Sequence, residues 1–348
     1  MSVPNGSVQT VLGEVPSASL GRTLIHEHLH IDLRPLAAEH GYGGGAKGSF
    51  DMCAAAEARW NPGAHSSNYD LTEIDLIADE LGYLDDSGVG CVVDVTPVDL
   101  GRNPVALVEL AARSGLHIVM GAGWYLEATH GRHVAGRSAD QLTQQLVDEC
   151  NHGVGDSTVK PGIIGEIGTN SPATRSELVV VAAAAAAGVE TGRALSIHVH
   201  PWGHEGAHVL DAALAGGIDP TRVVLGHMNT AVSSPDYMRS LLDRGAHLAF
   251  DLFGFDHSLL GEGRYAPSDW DVVQGIGDLV REGYASQILL SQDVGVRTRL
   301  HRFGGWGYDH LTRHIVPLMH RLGVDSDAVD RMLTVNPQSL LTLRPPRR

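Results

Sequence analysis

A chain of 348 residues with 25 basic against 41 acidic side chains carries a formal charge of −16, which repels nucleic acid and anionic membranes and excludes both as partners. Its three cysteines, Cys53, Cys91 and Cys150, are odd in number and form no CxxC pair, so they read as free thiols of a reducing, cytoplasmic compartment. The opening MSVPNGSVQT has neither a basic start nor an apolar run, and no stretch reaches the roughly 20 apolar residues of a membrane span.

Residues 1–22 alternate short apolar pairs with Gly, Pro and Ser, which predicts a hairpin lying under the main body. Thr23 to Leu33, TLIHEHLHIDL, reads as the first strand and carries His26, His28 and His30 at alternate positions. Side chains two apart on a strand share a face at about 6 to 7 Å, the spacing of a bidentate metal site. Residues 34–68, with GYGGGAKGSF and WNPGAHSSN, read as a long irregular loop.

From Tyr69 the pattern becomes regular. Helical stretches such as LTEIDLIADELG, NPVALVELAARSG and RSELVVVAAAAAAGVETG alternate with short apolar runs: GCVVDVTP, LHIVMGAGWY, GIIGEIGT, ALSIHVHP, RVVLGHMN, AHLAFDLFG and QILLSQDVG. With the opening strand these make eight β candidates, each reached through a helix, and eight such units close a parallel barrel. The expected fold is α/β, a single (β/α)8 TIM barrel spanning 1–348 with a short N-terminal hairpin. An open doubly wound sheet would need a glycine-rich phosphate fingerprint after its first strand, and none is there.

Polar residues within these runs are where chemistry belongs, because a barrel interior admits them only with partners. His26 and His28, Glu166, His198 and His200, His227 and Asp293 come from five strand candidates. All but the first pair fall near the C-terminal end of a run, where barrel enzymes build their sites. Singly each has a structural explanation, such as an arginine-paired carboxylate or a capping imidazole. Together they are imidazoles and carboxylates converging on one mouth, the donor set of a divalent metal.

HEHLH, GIIGEIGT, LSIHVHP, VVLGHMN, LLSQDVG and GGWGYDH resemble the phosphotriesterase-like branch of the amidohydrolase superfamily, which includes lactonases and phosphotriesterases. The likeness runs from about Val8 to Leu343. It implies two divalent metals, most often zinc, sharing a bridging hydroxide: one metal on His26, His28 and Asp293, the other on His198 and His227, with Glu166 between them. It also implies a homodimer. The best-known members bridge their metals with a carbon-dioxide-modified lysine, but here the fourth strand has none. Lys160 lies six residues before Glu166, at the wrong end of the strand, so a plain carboxylate is expected to bridge.

The resemblance places Tyr125 where family lactonases often carry tyrosine, as a hydrogen-bond donor to hydroxide or substrate. Asp293 is expected to move the proton from attacking water to the leaving oxygen. His200 shares the face of His198 and is a substrate-contact candidate, while His130, His133, His204 and His257 sit in mouth loops and cannot be ranked. Arg297, in the arginine-rich eighth loop, is a candidate for receiving an anionic or polyhydroxylated substrate part. The expected activity is hydrolysis of an ester in a small molecule, most simply a lactone, with phosphotriesters second. Two other readings stand beside it, a mononuclear deaminase-like amidohydrolase and a non-catalytic barrel that binds a small ligand around a structural metal.

Overall fold

In a computed structural model of the chain, residues 6–39, 45–255, 258–259 and 264–345 are described. A hairpin of β1 (Ser7–Thr10) and β2 (Gly13–Pro16) precedes the body. The barrel strands are β3 (Arg22–Glu27), β4 (Val89–Asp94), β5 (His117–Ala122), β6 (Ile163–Thr169), β7 (Leu195–Val199), β8 (Val223–Leu225) and β9 (His247–Phe250). After a two-residue ribbon of β10 (Ser258–Leu259) and β11 (Arg264–Tyr265), β12 (Ile288–Leu290) completes the set. The eight barrel strands pair in parallel in chain order, as the alternating pattern predicts. No helix among the described residues is long and apolar enough to cross a membrane.

Alternation divides the strand residues between two apolar layers. Cys91, Val93, Val119, Ile163, Val224, Ala249 and Leu289 pack inside the barrel, plugged from below by Val8 and Leu20 of the N-terminal segment and by Leu340 and Leu341. Their neighbours Val92, Ile118, Ile164, Leu225, Leu248 and Leu290 face the helices. The hairpin lies at the N-terminal end of the barrel, where Val11 N donates to Ile118 O at 2.8 Å, so the predicted position under the body holds.

Between β12 and β3 most of the ladder is replaced by side-chain bonds. Fully buried Glu27 takes Ser291 Oγ at 2.7 Å, Gln292 N at 2.8 Å and Val294 N at 2.9 Å, while His26 O accepts from Asp293 N at 3.1 Å. One carboxylate thus ties the first strand to the residues that carry Asp293.

Two expectations need correction. The first strand ends at Glu27 rather than continuing to Leu33, because its neighbour β4 stops at Asp94. Beyond that point the Asp94 carboxylate captures Leu29 N at 2.6 Å, and the chain turns out of the sheet. His26 and His28 therefore also stand at the C-terminal end of their strand. Of residues 34–68, expected as an irregular loop, 40–44 lie outside the described residues, and the remainder holds helices Arg34–Glu39 and Met52–Trp60. The second, CAAAEAR in its middle, is rich in strong helix formers and is capped by Asp51, which accepts from Cys53 N and Ala54 N at 3.0 and 2.9 Å.

Candidate metal centre and active site

Strict alternation from Ile25, which packs inside the barrel, would turn His26 outward. A register shift between Leu24 and Glu27 prevents this, and a second between Ile164 and Ile167 on β6 does the same for Glu166. Such irregularities re-aim side chains at barrel rims. His227 and Asp293 lie just past β8 and β12 with φ of 62° and 53°, left-handed conformations that non-glycine residues rarely hold without a functional reason.

The side chains meet. Glu166 Oε1 is 3.4 Å from His28 Nε2, and its Oε2 is 3.5 Å from both His26 Nε2 and His198 Nδ1. Asp293 Oδ1 is 3.0 Å from His28 Nε2 and 3.9 Å from His26 Nε2. His227 Nε2 is 2.7 Å from His198 Nδ1. His26, His28 and Asp293 each offer an atom within 4.8 Å of the others, and so do His26, Glu166 and His227.

The imidazoles are oriented from behind. Asp251, just after β9 and fully buried, lies 3.0 Å from His26 Nδ1 through one oxygen and 3.0 Å from His227 Nδ1 through the other, so both rings present Nε2 to the cluster. Gly226 leaves the room: a Cβ there would stand 3.1 Å from Asp251 Oδ2. Thr96 Oγ1 holds His28 Nδ1 at 2.9 Å. Sequence reasoning missed Asp251, although its signal was the same as for the others, an acid at the end of an apolar run in AHLAFDLFG.

Burial should strip charge from these imidazoles, yet Glu166 and Asp251 outweigh it and hold His26 well above the ordinary histidine range. His28 and His227 are raised likewise, by Asp293 and by Asp251 against burial. Burial would raise Glu166, but His26 and His198 hold it well below the usual carboxylate range. His198 falls to about 4, through burial and the neighbouring His227. Buried Glu166 and Asp251 and part-buried Asp293 therefore gather positive charge onto three of the rings, His26, His28 and His227, and divalent cations meet that demand directly. His26 Nε2 and Glu166 Oε2, buried with no hydrogen-bond partner among the described residues, fit the same reading. Nitrogen and oxygen donors without thiolate suit zinc or a similar divalent ion.

A cavity of about 560 Å³ opens over the cluster. Ile31, Leu33, Leu36 and Ala37 after the first strand form one wall, Leu252 and Phe255 another. Tyr125 stands at its edge with its phenol 3.1 Å from His198 Nδ1, placed there because Gly168 lets the Tyr125–Leu126 backbone press onto β6, where a Cβ would meet Tyr125 C at 2.3 Å. Burial first, then Glu166 and Asp293, push the Tyr125 phenol well above its ordinary range, so it stays a donor. His200 also lines the cavity.

Arg297 does not. Its Nε donates to Asp70 O at 2.9 Å and its Nη2 meets Glu73, so it fastens the eighth loop to residues 70–73, and the arginine bordering the cavity is Arg299. His130 is held by Tyr125 O and Ser176, His204 stacks on Tyr237, and neither these nor His133 borders the cavity. His257 lies outside the described residues.

A parallel eight-stranded barrel with buried imidazoles and carboxylates gathered at its C-terminal mouth defines a metal-dependent barrel hydrolase. The chain belongs to the phosphotriesterase family, whose family model matches residues 6–341. It is 33% identical to the human N-acetyltaurine hydrolase, with 99% of this chain and 100% of that protein covered. Among solved structures it superposes on a resiniferatoxin-binding protein from Rhodobacter sphaeroides with a TM-score of 0.93 at 36% identity, covering 98% of this chain and 96% of that one. A PTE-like lactonase variant from Deinococcus radiodurans gives a TM-score of 0.77 at 28% identity over 96% and 99%.

Proposed function

We propose that the chain hydrolyses a carboxyl-derived bond of a small molecule, an amide in the first reading, with two divalent cations, zinc foremost, held by His26, His28, Asp293, His198 and His227 with Glu166 between them. The observation that carries this is the convergence of those side chains beneath a largely apolar cavity of about 560 Å³. Cations bound there supply acidified water and polarise the substrate's carbonyl oxygen.

The chain's own residues do the rest. Asp251 and Thr96 fix the ring orientations, and the leucine-lined wall receives the acyl part while excluding water. The Tyr125 phenol, beside His198, donates to the carbonyl oxygen as charge builds on it. Asp293 takes the proton of the attacking water and returns it to the departing nitrogen, so the C–N bond breaks as a C–O bond forms and an acid and an amine leave.

The amide reading is supported by the N-acetyltaurine hydrolases, similar over the full length. Lactone hydrolysis is the second reading, supported by the apolar walls and by the likeness to the PTE-like lactonase. A panel of N-acyl amides, lactones and a phosphotriester, assayed with and without chelator, tests the proposal. Chelator-sensitive turnover of amides or lactones is expected; turnover that survives complete metal removal, or none on any carboxyl substrate, would sink it.

A further inference from the structure

Asn170, the residue after β6, lines the cavity with Glu166 and Tyr125, and its amide is held in one orientation. Nδ2 donates to Glu177 Oε1 at 2.6 Å, and the Asn170 backbone N donates to Oε2 at 3.0 Å. The same carboxylate takes Glu127 N at 3.0 Å and Thr174 N at 2.9 Å. An ionised carboxylate only accepts, with about four lone-pair sites, and the four donors occupy fully buried Glu177 completely.

Turning the amide over would set Oδ1 against a saturated acceptor, so Nδ2 faces Glu177 and Oδ1 faces away. Among the described residues no donor is bonded to Oδ1. The cavity therefore holds a neutral acceptor, pre-oriented by a buried capping glutamate and distinct from the titratable cluster.

We infer that Asn170 Oδ1 receives the N–H of a secondary amide, making Asn170 a specificity-determining residue and Glu177 its positioning residue. This rests on the carboxyl-hydrolase reading above and sharpens it to amides. With an ester or lactone, oxygen replaces the N–H, two acceptors face each other, and Oδ1 loses its partner. Sites built to bond a substrate N–H reject the analogue lacking it far more strongly than apolar pockets discriminate by size. The acyl wall stays the same for both substrates, so the preference concentrates at this one atom.

Matched pairs of N-acyl taurines and O-acyl isethionates, with acyl chains of increasing length, differ at the reacting bond only by NH against O. In Asn170→Ala the amide-to-ester ratio of kcat/KM is expected to fall at least about tenfold relative to the unaltered protein. Glu177→Gln, which frees the amide to turn over, is expected to lower the same ratio while metal content per chain stays unchanged, a signature that loss of structure alone does not give. An unchanged ratio in Asn170→Ala overturns the inference. If that variant does not fold, N-methylated amides offered to the unaltered protein decide: equal turnover of secondary and N-methylated amides overturns it, and a large loss supports it. Turnover of esters with none of any secondary amide overturns the inference and leaves the hydrolase reading standing. A protein inert to the whole series removes both.

Discussion

Asp251 places one carboxylate behind two imidazoles, His26 and His227, which reach the cluster from strands far apart in the chain. Asp251→Asn keeps the shape but puts an amide nitrogen where one ring nitrogen needs an acceptor. Metal affinity and kcat/KM are expected to fall about 10- to 100-fold, checked by metal analysis and by assay on the same preparation. Glu166 carries a second prediction at this scale. Lys160 precedes β6 and stands at its opposite end, and among the described residues no lysine borders the cavity over the cluster to take up carbon dioxide. Metal-free protein is expected to reload equally well in bicarbonate-free and bicarbonate-rich buffer; a bicarbonate requirement in the metal titration would contradict the bridging role proposed for Glu166.

At the scale of elements, the mouth depends on segments fastened to one another by side chains rather than by ladders. Glu27 joins β3 to the turn after β12, and Arg297 joins the eighth loop to residues 70–73. The guanidinium of Arg297 is spent on Asp70 and Glu73 and packs 5.9 Å from the Phe303 ring centroid, which leaves it a structural task. Arg297→Ala is expected to cost about 1–3 kcal/mol of stability, read as a lower urea midpoint, because the Asp70 carbonyl and Glu73 lose a charged donor. The same variant should keep its relative KM for anionic and neutral substrates. A selective rise in KM for anionic ones would return Arg297 to the cavity.

For the whole molecule, part of the acid limit of stability is expected to lie at the barrel's lower end. His247 begins β9, buried beside Arg222 and Arg344; burial first, and then the two arginines, bring its imidazole down to about 4 from the ordinary 6.5. The folded state keeps this ring neutral while the unfolded chain binds a proton below pH 6.5, so its stabilising contribution is complete above 6.5. It is lost as pH falls toward 4, at about 1.4 kcal/mol per pH unit, and the loss stops below the folded value. His247→Leu should flatten the fall in urea midpoint between pH 6.5 and 4.5; an identical slope in the variant would show that other groups set the acid limit.

The barrel was legible in the sequence because its signal is local: short continuous apolar runs, helices with period 3.6, and turn residues between them, repeated along the chain. The polar residues interrupting those runs were legible for the same reason, since a charge inside an apolar strand needs a partner wherever the partner lies. Asp251 carries that signal too, at the end of the apolar run AHLAFDLFG. The helix Met52–Trp60 was hidden by its glycine-rich flanks, although its own alanines and Asp51 cap announce it. Other features had no local signal. That Arg299 rather than Arg297 borders the cavity, that register shifts turn His26 and Glu166 inward, and that Glu177 orients Asn170 all depend on contacts between residues distant along the chain. Composition and periodicity thus determined which residues had to be buried and in what kind of framework. Only the closed barrel decided which of them face one another, because direction in space is fixed by packing and by hydrogen bonds across the fold.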